Sequence, residues 1–277
     1  MLRGLGITTL ALLSLLAACG GGGDGSPTPS GSPGPTSVPT PTPSPAAPEV
    51  ESGVAVLIAL GDSGTYACCG TGLSAVQDLT THVAEQLGRP VQLVSIQGAV
   101  SAQEFIAGAG GEPSLLAQGA SAIKQYQTSG HPVAAVVLSV GAADIDQLRK
   151  DCGRICQPQA LEELAVRYDE QLRVIYGRLN QAMTQAVPVL QANFFDAQAC
   201  AGSVAAPAGF KLNAFNEKIA AEAADHDGFV VDVAGAITPG MCLEDGSLTA
   251  EGQQALGSTF RDAYASVPEI FRPTATP

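Results

Sequence analysis

Five short apolar runs, rich in β-branched residues, recur along the chain after residue 53. They occupy residues 54–60, 91–96, 133–140, 187–195 and 229–233. Unbroken apolar runs of this length are typical of strands that are buried on both faces of a parallel sheet. Helical patterns separate them, for example at 73–87, 161–186 and 210–225. We therefore predict an α/β fold with three layers (α/β/α), a five-stranded parallel sheet of the flavodoxin-like kind, and right-handed crossovers.

The N-terminus has a different pattern. Arg3 is followed by the apolar stretch 7–16, and the letters LAAC stand at 16–19. This arrangement resembles a bacterial lipobox, which implies that residues 1–19 are a lipoprotein signal peptide and that Cys19 is lipidated. An ordinary signal peptide is the alternative. A membrane-spanning helix is disfavoured, because the apolar stretch is far shorter than the roughly 20 residues that span a bilayer. We expect an extracytoplasmic protein, lipid-anchored to the bacterial cell membrane or envelope.

Low-complexity sequence marks the domain boundaries. Residues 20–52 are mostly Gly, Pro, Ser and Thr and have no apolar periodicity, so they cannot form a core. We expect them to be a disordered, semi-extended spacer of about 3.1 Å per residue where Pro is frequent. One domain is predicted over 53–267. Residues 268–277 are expected to be an unstructured tail, apart from docking of Ile270 and Phe271.

Composition limits the class of partner. The chain of 277 residues is 45% hydrophobic, enough for a substantial core, and carries a formal net charge of -13. Because nothing in it would neutralise phosphates, nucleic acid is excluded as an expected partner. We expect a monomer that contains no metal and no cofactor.

The cysteines point to disulfide bonds. Besides Cys19 the chain has Cys68, Cys69, Cys152, Cys156, Cys200 and Cys242. An even number in an exported chain favours disulfides over metal binding, because the three histidines lie in none of these stretches. We favour Cys152–Cys156 for its short spacing and Cys200–Cys242 because both follow strands. A vicinal bridge between Cys68 and Cys69 is a strained alternative.

Candidate functional residues follow the predicted strands. In an open α/β sheet, ligands bind outside the carboxyl ends of the strands. Ser63 follows the first strand directly, in the turn Gly61-Asp62-Ser63-Gly64, and Gly98 follows the second. Further candidates follow the later strands: Gly141 to Asp144, Asp196, and the segment 234–248. This placement favours Ser63 as a nucleophile over a serine that merely fills a tight turn.

Four segments in this order resemble the SGNH (GDSL) hydrolase superfamily. They read IALGDSGTY, VQLVSIQGAVSAQEFI, VVLSVGAADI and EDGSLTAEGQQAL, and together they cover the whole predicted domain. The resemblance implies an ester hydrolase fold with Ser63 as nucleophile and Asp245 as the carboxylate that orients the base. It also implies that the N–H groups of Ser63 and Gly98 donate to the oxyanion.

The sequence departs from the family pattern at three places. Ala143 stands where the family has the oxyanion asparagine. Gly98 is out of register, so that Ala99 or Val100 occupies the usual glycine place. The catalytic histidine is missing from the last segment, where Ser247 and Leu248 follow Asp245 and the motif is one residue short. Of the four residues that name the superfamily, only the serine is kept intact.

No other histidine replaces the missing base. His131 and His226 immediately precede the third and fifth strands, which places them at the amino edge of the sheet, and His82 lies well along the first helix. A general base must come within about 3.2 Å of its proton, or act through one water. The remaining candidates are carboxylates at the active edge: Asp144, Asp196, Glu244 and Asp245. An unperturbed aspartate, of pKa about 3.9, is a poor base for a serine hydroxyl.

Three functions are compatible with this pattern. The first is a lipid-anchored ester hydrolase, acting on a small ester or an acylated glycan or lipid, whose activity is weak or lost. The second is a non-catalytic protein of the same fold that binds a ligand or glycan. The third, a purely structural envelope lipoprotein, has no positive support. The intact Ser63 favours the first; Ala143 and the missing histidine favour the second.

Overall fold

The computed structural model of the protein describes residues 46–62, 74–98, 100–108, 112–202, 207, 210–244 and 247–273. The predicted signal peptide with Cys19, the pair Cys68 and Cys69, Ser63 and Asp245 lie outside the described residues. Among the helices of the described part, none combines the length and the apolar character that crossing a bilayer requires.

A five-stranded parallel sheet forms the centre of the domain. Its strands are β1 (Ala55–Gly61), β2 (Val91–Gln97), β3 (Val133–Ser139), β4 (Val189–Ala192) and β5 (Phe229–Val231). They are ordered β2-β1-β3-β4-β5, and every neighbouring pair is parallel. All seven residues of β1 and of β3 are buried, as their unbroken apolar runs predict. The predicted α/β class, sheet size and parallel pairing are confirmed.

Helices cover both faces of this sheet. They are α1 (Ala75–Leu87), α2 (Ala102–Ala107), α3 (Leu115–Thr128), α4 (Ala142–Cys152), α5 (Pro158–Ala182), α6 (Ala197–Ala201), α7 (Asn213–Asp225), α8 (Val233–Ala236) and α9 (Ala250–Ser266). A short 3-10 helix follows at Glu269–Phe271.

The alternating side chains of β1 divide the core into two layers. Val56, Ile58 and Leu60 pack with α3, α5 and α7 on one face. Leu57 and Ala59 pack with α1 and α9 on the other. The three-layer arrangement is therefore a direct result of the period-two geometry of a strand that is apolar on both faces.

The ordered packing extends slightly beyond the predicted boundaries. Ala47 and Val50 pack against the core, and the Tyr126 hydroxyl donates to the Pro48 carbonyl at 2.8 Å. At the other end Phe271 packs edge-on against Phe229, with ring centroids 5.9 Å apart. The last residues of the predicted linker, from Ala47 to Val50, are thus part of the folded unit, as is Phe271 of the predicted tail.

Two disulfides are present among the described residues. Cys152 and Cys156 are bonded at the end of α4, and Cys200 and Cys242 join the segments that follow β4 and β5. These are the two pairs that the spacing and the shared sheet edge favour.

Candidate functional site

The end of β1 is clamped between its two neighbouring strands. The Gly98 N–H donates to the Gly61 carbonyl at 3.0 Å, and the Asp62 N–H donates to the Ser139 carbonyl at 2.7 Å. Gly61 has φ +101°, and a Cβ there would lie 1.7 Å from the Ser139 carbonyl oxygen. Only glycine fits this close backbone approach. The chain therefore leaves β1 from a fixed position at the junction of β1 and β3, where the strand order reverses, directly before the predicted turn at Ser63.

Asp62 links this turn to the third sequence segment. Its side chain is buried, and its Oδ2 accepts a hydrogen bond from the Ala142 N–H at 3.1 Å. Gly141, at the N-cap position of α4, has no side chain to cap the helix. The Asp62 carboxylate supplies that cap from another strand, which favours a negative charge at the helix N-terminus.

The pKa of Asp62 is strongly perturbed. Burial is the main cause that raises it from the ordinary 3.8 to about 7; the hydrogen bond from Ala142 opposes this rise, and the charges of Asp144 and Asp146 add to it. Near neutral pH both the protonated and the ionised forms are therefore populated. Asp62 is not among the site residues that the sequence predicts. Its position directly before the candidate nucleophile, at the end of a fully buried strand, was the signal that could have identified it.

Asp144 has a structural partner. Its Oδ2 accepts from the Ala102 N–H at 2.7 Å, in the first turn of α2. Burial raises the pKa of this carboxyl, while the bond from Ala102 and the charge of Arg167 oppose the rise. Asp144 thereby ties α4 to α2. The adjacent Ala143 offers no side-chain donor at the oxyanion position of the third segment.

The backbone donors of the second segment are also occupied. The Gly98 N–H bonds the Gly61 carbonyl, and the Val100 N–H donates to the Gly98 carbonyl at 3.0 Å. Ala99 lies outside the described residues. For Gly98 to donate to an oxyanion, its bond to Gly61 would have to open, so its predicted role needs a rearrangement of the clamp.

Asp196 caps a helix and holds a buried arginine. Its Oδ1 accepts from Arg149 Nη2 at 2.9 Å and from the Ala199 N–H at 3.1 Å, in the first turn of α6. Arg149 is buried, and its guanidinium lies 4.8 Å from the centroid of the Phe210 ring. A carboxylate engaged in this way is a structural anchor and not a free base.

The described residues of the last sequence segment include few groups that could take part in catalysis. Glu244 is exposed to solvent, and Ser247 is half-buried. Leu248 is only 4% exposed and packs in the core beneath α9. Of the two positions that could stand for the missing histidine, Ser247 alone has access to solvent, because an imidazole at Leu248 would be buried in the core.

All three histidines have partners away from the carboxyl edge. His131 Nδ1 lies 3.2 Å from the Val54 carbonyl, before the start of β1. The His226 ring stacks on Tyr176 with centroids 5.1 Å apart. The His82 Nε2 lies 2.8 Å from the Gln86 side chain, within α1. These contacts agree with the predicted placement of His131 and His226 at the amino edge.

Comparison with known proteins identifies the fold through solved structures, whereas the sequence comparisons find no match. No protein-family model matches the sequence, and a search of curated proteins finds no match. Among solved structures, the lipase Lip_vut3 from a goat rumen metagenome is 14% identical, with TM-score 0.56, over 78% of this chain and 99% of that one. A GDSL-like lipase candidate from Parabacteroides merdae is 11% identical, with TM-score 0.51, over 76% and 95%. The chain has the fold of the SGNH hydrolases.

A third solved structure of this fold is a variant of Axe2, an acetyl xylan esterase from Geobacillus stearothermophilus. It is 13% identical, with TM-score 0.50, and covers 80% of this chain and 97% of that one. At such identities the likeness shows the SGNH fold and leaves the chemistry to the residues of this chain. Those residues bring the first three segments together through the bonds Gly98–Gly61, Ala142–Asp62 and Ala102–Asp144.

Proposed function

We propose that this protein is an extracytoplasmic lipoprotein with an SGNH-type ester hydrolase centre at Ser63, in which hydrolysis is slow or lost. One observation carries the proposal. The end of β1, directly before Ser63, is held by backbone hydrogen bonds to both neighbouring strands, while all three histidines contact residues elsewhere in the fold. A fixed strand end directly before Ser63, together with three histidines that have partners elsewhere, supports a serine nucleophile that lacks an imidazole base.

The energetic consequence is a large loss of rate. General acid–base catalysis contributes about 10²–10⁴ in rate, and removing one oxyanion donor costs about 10²–10³ in turnover. The two losses are not additive, but both lower the rate. The substrate class that the fold supports is a small ester, or an acylated glycan or lipid, as the lipase and acetyl xylan esterase neighbours suggest.

The test is the turnover of short-chain p-nitrophenyl esters by the full chain. We expect a rate well below the roughly 1–10³ s⁻¹ of ordinary enzymes, rising with pH as hydroxide replaces the absent base. Ser63→Ala should abolish what remains and should also abolish covalent labelling by a fluorophosphonate probe. Ser247→Ala is the matched control and should leave both signals unchanged.

Two results would contradict the proposal. Fast hydrolysis that disappears in Ser63→Ala would mean that the protein has an effective base. Hydrolysis that survives Ser63→Ala would mean that another residue is the nucleophile.

A ligand-binding protein without catalysis is the second candidate. The hydrogen bonds of three groups that catalysis would need favour this candidate. The Gly98 N–H, the Asp144 carboxylate and the Asp196 carboxylate are each already bonded to another group of the fold. If this candidate is correct, the protein shows no covalent labelling at Ser63, and Ser63→Ala binds the ligand as well as the unmodified chain does.

The membrane anchor is tested separately. Cys19→Ser should release the protein from the membrane fraction, while its thermal unfolding stays unchanged because the Pro-rich linker separates the anchor from the domain. Retention of this variant in the membrane fraction would contradict lipidation at Cys19.

A further inference from the structure

The Cys152–Cys156 disulfide closes the connection between α4 and α5, and the proposed ester hydrolase centre does not use it. We call residues 152–156 the disulfide loop. Its two cysteines differ in exposure, because Cys156 is only 2% exposed and packs in the core, whereas Cys152 is half-buried at the end of α4. Residues 153–155 between them are all exposed. A small thiol in solution can therefore reach this disulfide from the Cys152 side.

The domain should remain folded when this disulfide opens. Closing a loop of four residues constrains the unfolded chain much less than the 42-residue loop of Cys200–Cys242 does, so the fold loses less stability when the shorter loop opens. The Gly153 N–H donates to the Lys150 carbonyl at 3.3 Å, and the Ile155 N–H donates to the Cys152 carbonyl at 3.3 Å. Both distances exceed the usual range of about 2.7–3.2 Å for such bonds. The backbone of the disulfide loop can therefore adjust when its two sulfurs separate.

Two exposed cations flank the half-buried cysteine. Lys150 lies two residues before Cys152, and Arg154 lies within the disulfide loop. Asp151 is exposed between them, and its carboxylate accepts a hydrogen bond from the Gln147 side chain at 2.9 Å. Residues 150–154 are therefore net positive in a chain of net charge -13. Neighbouring Lys and Arg side chains stabilise a thiolate that attacks a disulfide and the thiolate that leaves it.

The other disulfide is an internal reference for this one. Cys200–Cys242 also joins a buried cysteine, 7% exposed, to a half-buried one. The exposed residues that follow Cys242 are Leu243 and Glu244, which place a negative charge near that bond. A carboxylate repels an approaching thiolate and disfavours the thiolate that leaves. An anionic thiol should therefore react first at Cys152–Cys156.

We propose that Cys152–Cys156 is a thiol–disulfide exchange site for anionic low-molecular-weight thiols. The thiolate forms an S–S bond with Cys152 Sγ, the Cys152–Cys156 bond breaks, and its electron pair leaves on Cys156 Sγ. A second thiol then displaces Cys152 from the mixed disulfide. Two thiols are thereby oxidised to one disulfide, and their two electrons and two protons end on Cys152 and Cys156. Ser63 takes no part, so the exchange holds whether or not the protein hydrolyses esters.

Competition between the two disulfides tests the proposal. The full chain carrying Cys19→Ser, with its disulfides formed, is incubated with mercaptoethanesulfonate, quenched by alkylation at intervals, and its cysteine peptides are quantified by mass spectrometry. We expect Cys152–Cys156 to open at least about tenfold faster than Cys200–Cys242, with the far-UV circular dichroism unchanged. Equal or slower opening of Cys152–Cys156, or loss of the dichroism signal as it opens, would overturn the proposal.

A charge reversal tests the selection of an anionic thiol. Arg154→Glu should slow the opening of Cys152–Cys156 by mercaptoethanesulfonate by about threefold or more. It should slow opening by cysteamine, a thiol of similar size that carries an amino group, by a smaller factor. Arg178→Glu makes the same charge change at an exposed position on α5 and should leave both rates unchanged. Equal slowing for the two thiols in Arg154→Glu, or no slowing, would contradict the proposal.

Two single variants identify the sulfur that the thiol attacks. Cys156→Ser leaves the Cys152 thiol, and Cys152→Ser leaves the Cys156 thiol. With the symmetrical disulfide of mercaptoethanesulfonate, Cys152 should form a mixed disulfide at least about tenfold faster than Cys156, because Cys156 packs in the core. Equal rates, or a faster reaction at Cys156, would refute the assignment of Cys152 Sγ as the attacked atom.

Discussion

Two parts of the carboxyl edge differ in how they are built. We call residues 61–62, Gly98 and 139–144 the nucleophile side and residues 232–249 the base side, after the roles that the sequence resemblance implies. On the nucleophile side, close backbone contact and a buried carboxylate connect three sequence segments. On the base side the chain is held by a disulfide and by the buried Leu248, and Glu244 is exposed. The first side therefore depends on hydrogen bonds between distant segments, whereas the second depends on a covalent link and on the burial of one side chain.

The largest expected difference between the two sides is the loss of stability when a glycine is replaced by alanine. Gly61 and Gly240 both have φ near +100°, but a Cβ would meet the Ser139 carbonyl at 1.7 Å in the first case and nothing within 4 Å in the second. Gly61→Ala should lower the free energy of unfolding by at least about 4 kcal/mol, or prevent folding. Gly240→Ala should lower it by only about 1–2 kcal/mol, the strain of a left-handed residue.

Urea unfolding of the two variants measures this difference. A similar loss in both would mean that the clamp at the end of β1 is looser than its distances indicate, and that backbone strain alone accounts for the effect.

The next effect compares the two disulfides. Cys200–Cys242 closes a loop of 42 residues and ties the base side to the segment after β4, whereas Cys152–Cys156 closes a loop of four at the end of α4. In the loop-entropy model the first stabilises the fold by about 4 kcal/mol and the second by about 2 kcal/mol. We expect the double variant Cys200→Ser/Cys242→Ser to lose about twice as much unfolding free energy as Cys152→Ser/Cys156→Ser.

Thermal and urea unfolding under non-reducing conditions measure the two losses of unfolding free energy and test whether they differ about twofold. Equal losses would show that the base side is held by its packing, with the long disulfide adding little.

The third effect depends on pH. Because the folded protein raises the pKa of Asp62 from 3.8 to about 7, protonation favours the folded state. The contribution of Asp62 to stability is therefore fully present below pH 3.8 and is lost as the pH rises through 7. Asp62→Asn keeps an acceptor for Ala142 and removes the charge. It should raise the unfolding free energy by roughly 2–4 kcal/mol at pH 8 and by much less at pH 5.

The difference in unfolding free energy between Asp62→Asn and the wild type, measured at each pH, separates the contribution of Asp62 from that of the other titratable groups. Glu244→Gln, an exposed carboxyl on the base side, serves as the control and should show no such trend. A gain for Asp62→Asn that is the same at pH 5 and pH 8 would contradict the raised pKa.

The smallest effect distinguishes the two candidate positions for a restored base. Leu248→His replaces a buried leucine and should lower the unfolding free energy by about 2 kcal/mol or more. Ser247→His, at a half-buried position, should change it by no more than about 0.5 kcal/mol. Combined with Ala143→Asn, only Ser247→His should raise ester turnover, and a rise with Leu248→His instead would reverse the assignment.

The sequence predicted the central strands well because every residue in them is buried, which leaves an unbroken apolar run that a short stretch of sequence reveals. The apolar run 133–140 became Val133–Ser139 almost unchanged. The run 187–195 predicted too long a strand, since β4 ends at Ala192. The reason is not local: the Phe194 N–H is taken by the side chain of Asn216, which lies 22 residues further along the chain.

The candidate site was predictable in its position and less so in its chemistry. Strand ends placed Asp144 and Asp196 at the correct edge, but a linear pattern does not show that Ala102 and Arg149 occupy their carboxylates. Asp62 escaped notice for the same reason, because its pKa depends on burial between segments 80 residues apart in sequence. Hydrogen-bond partners across the fold decide which carboxyl is available, and such partners leave no local signal.

The contact between Tyr126 and Pro48 has a mechanical consequence. Pro48 lies against the last turn of α3, near the amino ends of the strands, whereas Gly61 lies at their carboxyl ends. The seven residues of β1 separate these points by about 20 Å. Tension on the chain before residue 47 is therefore first resisted at the end of α3, where the Gln125 side chain accepts from the Ala47 N–H at 3.2 Å and the Tyr126 hydroxyl holds Pro48. The end of β1 at Gly61 should stay unstressed until these contacts break.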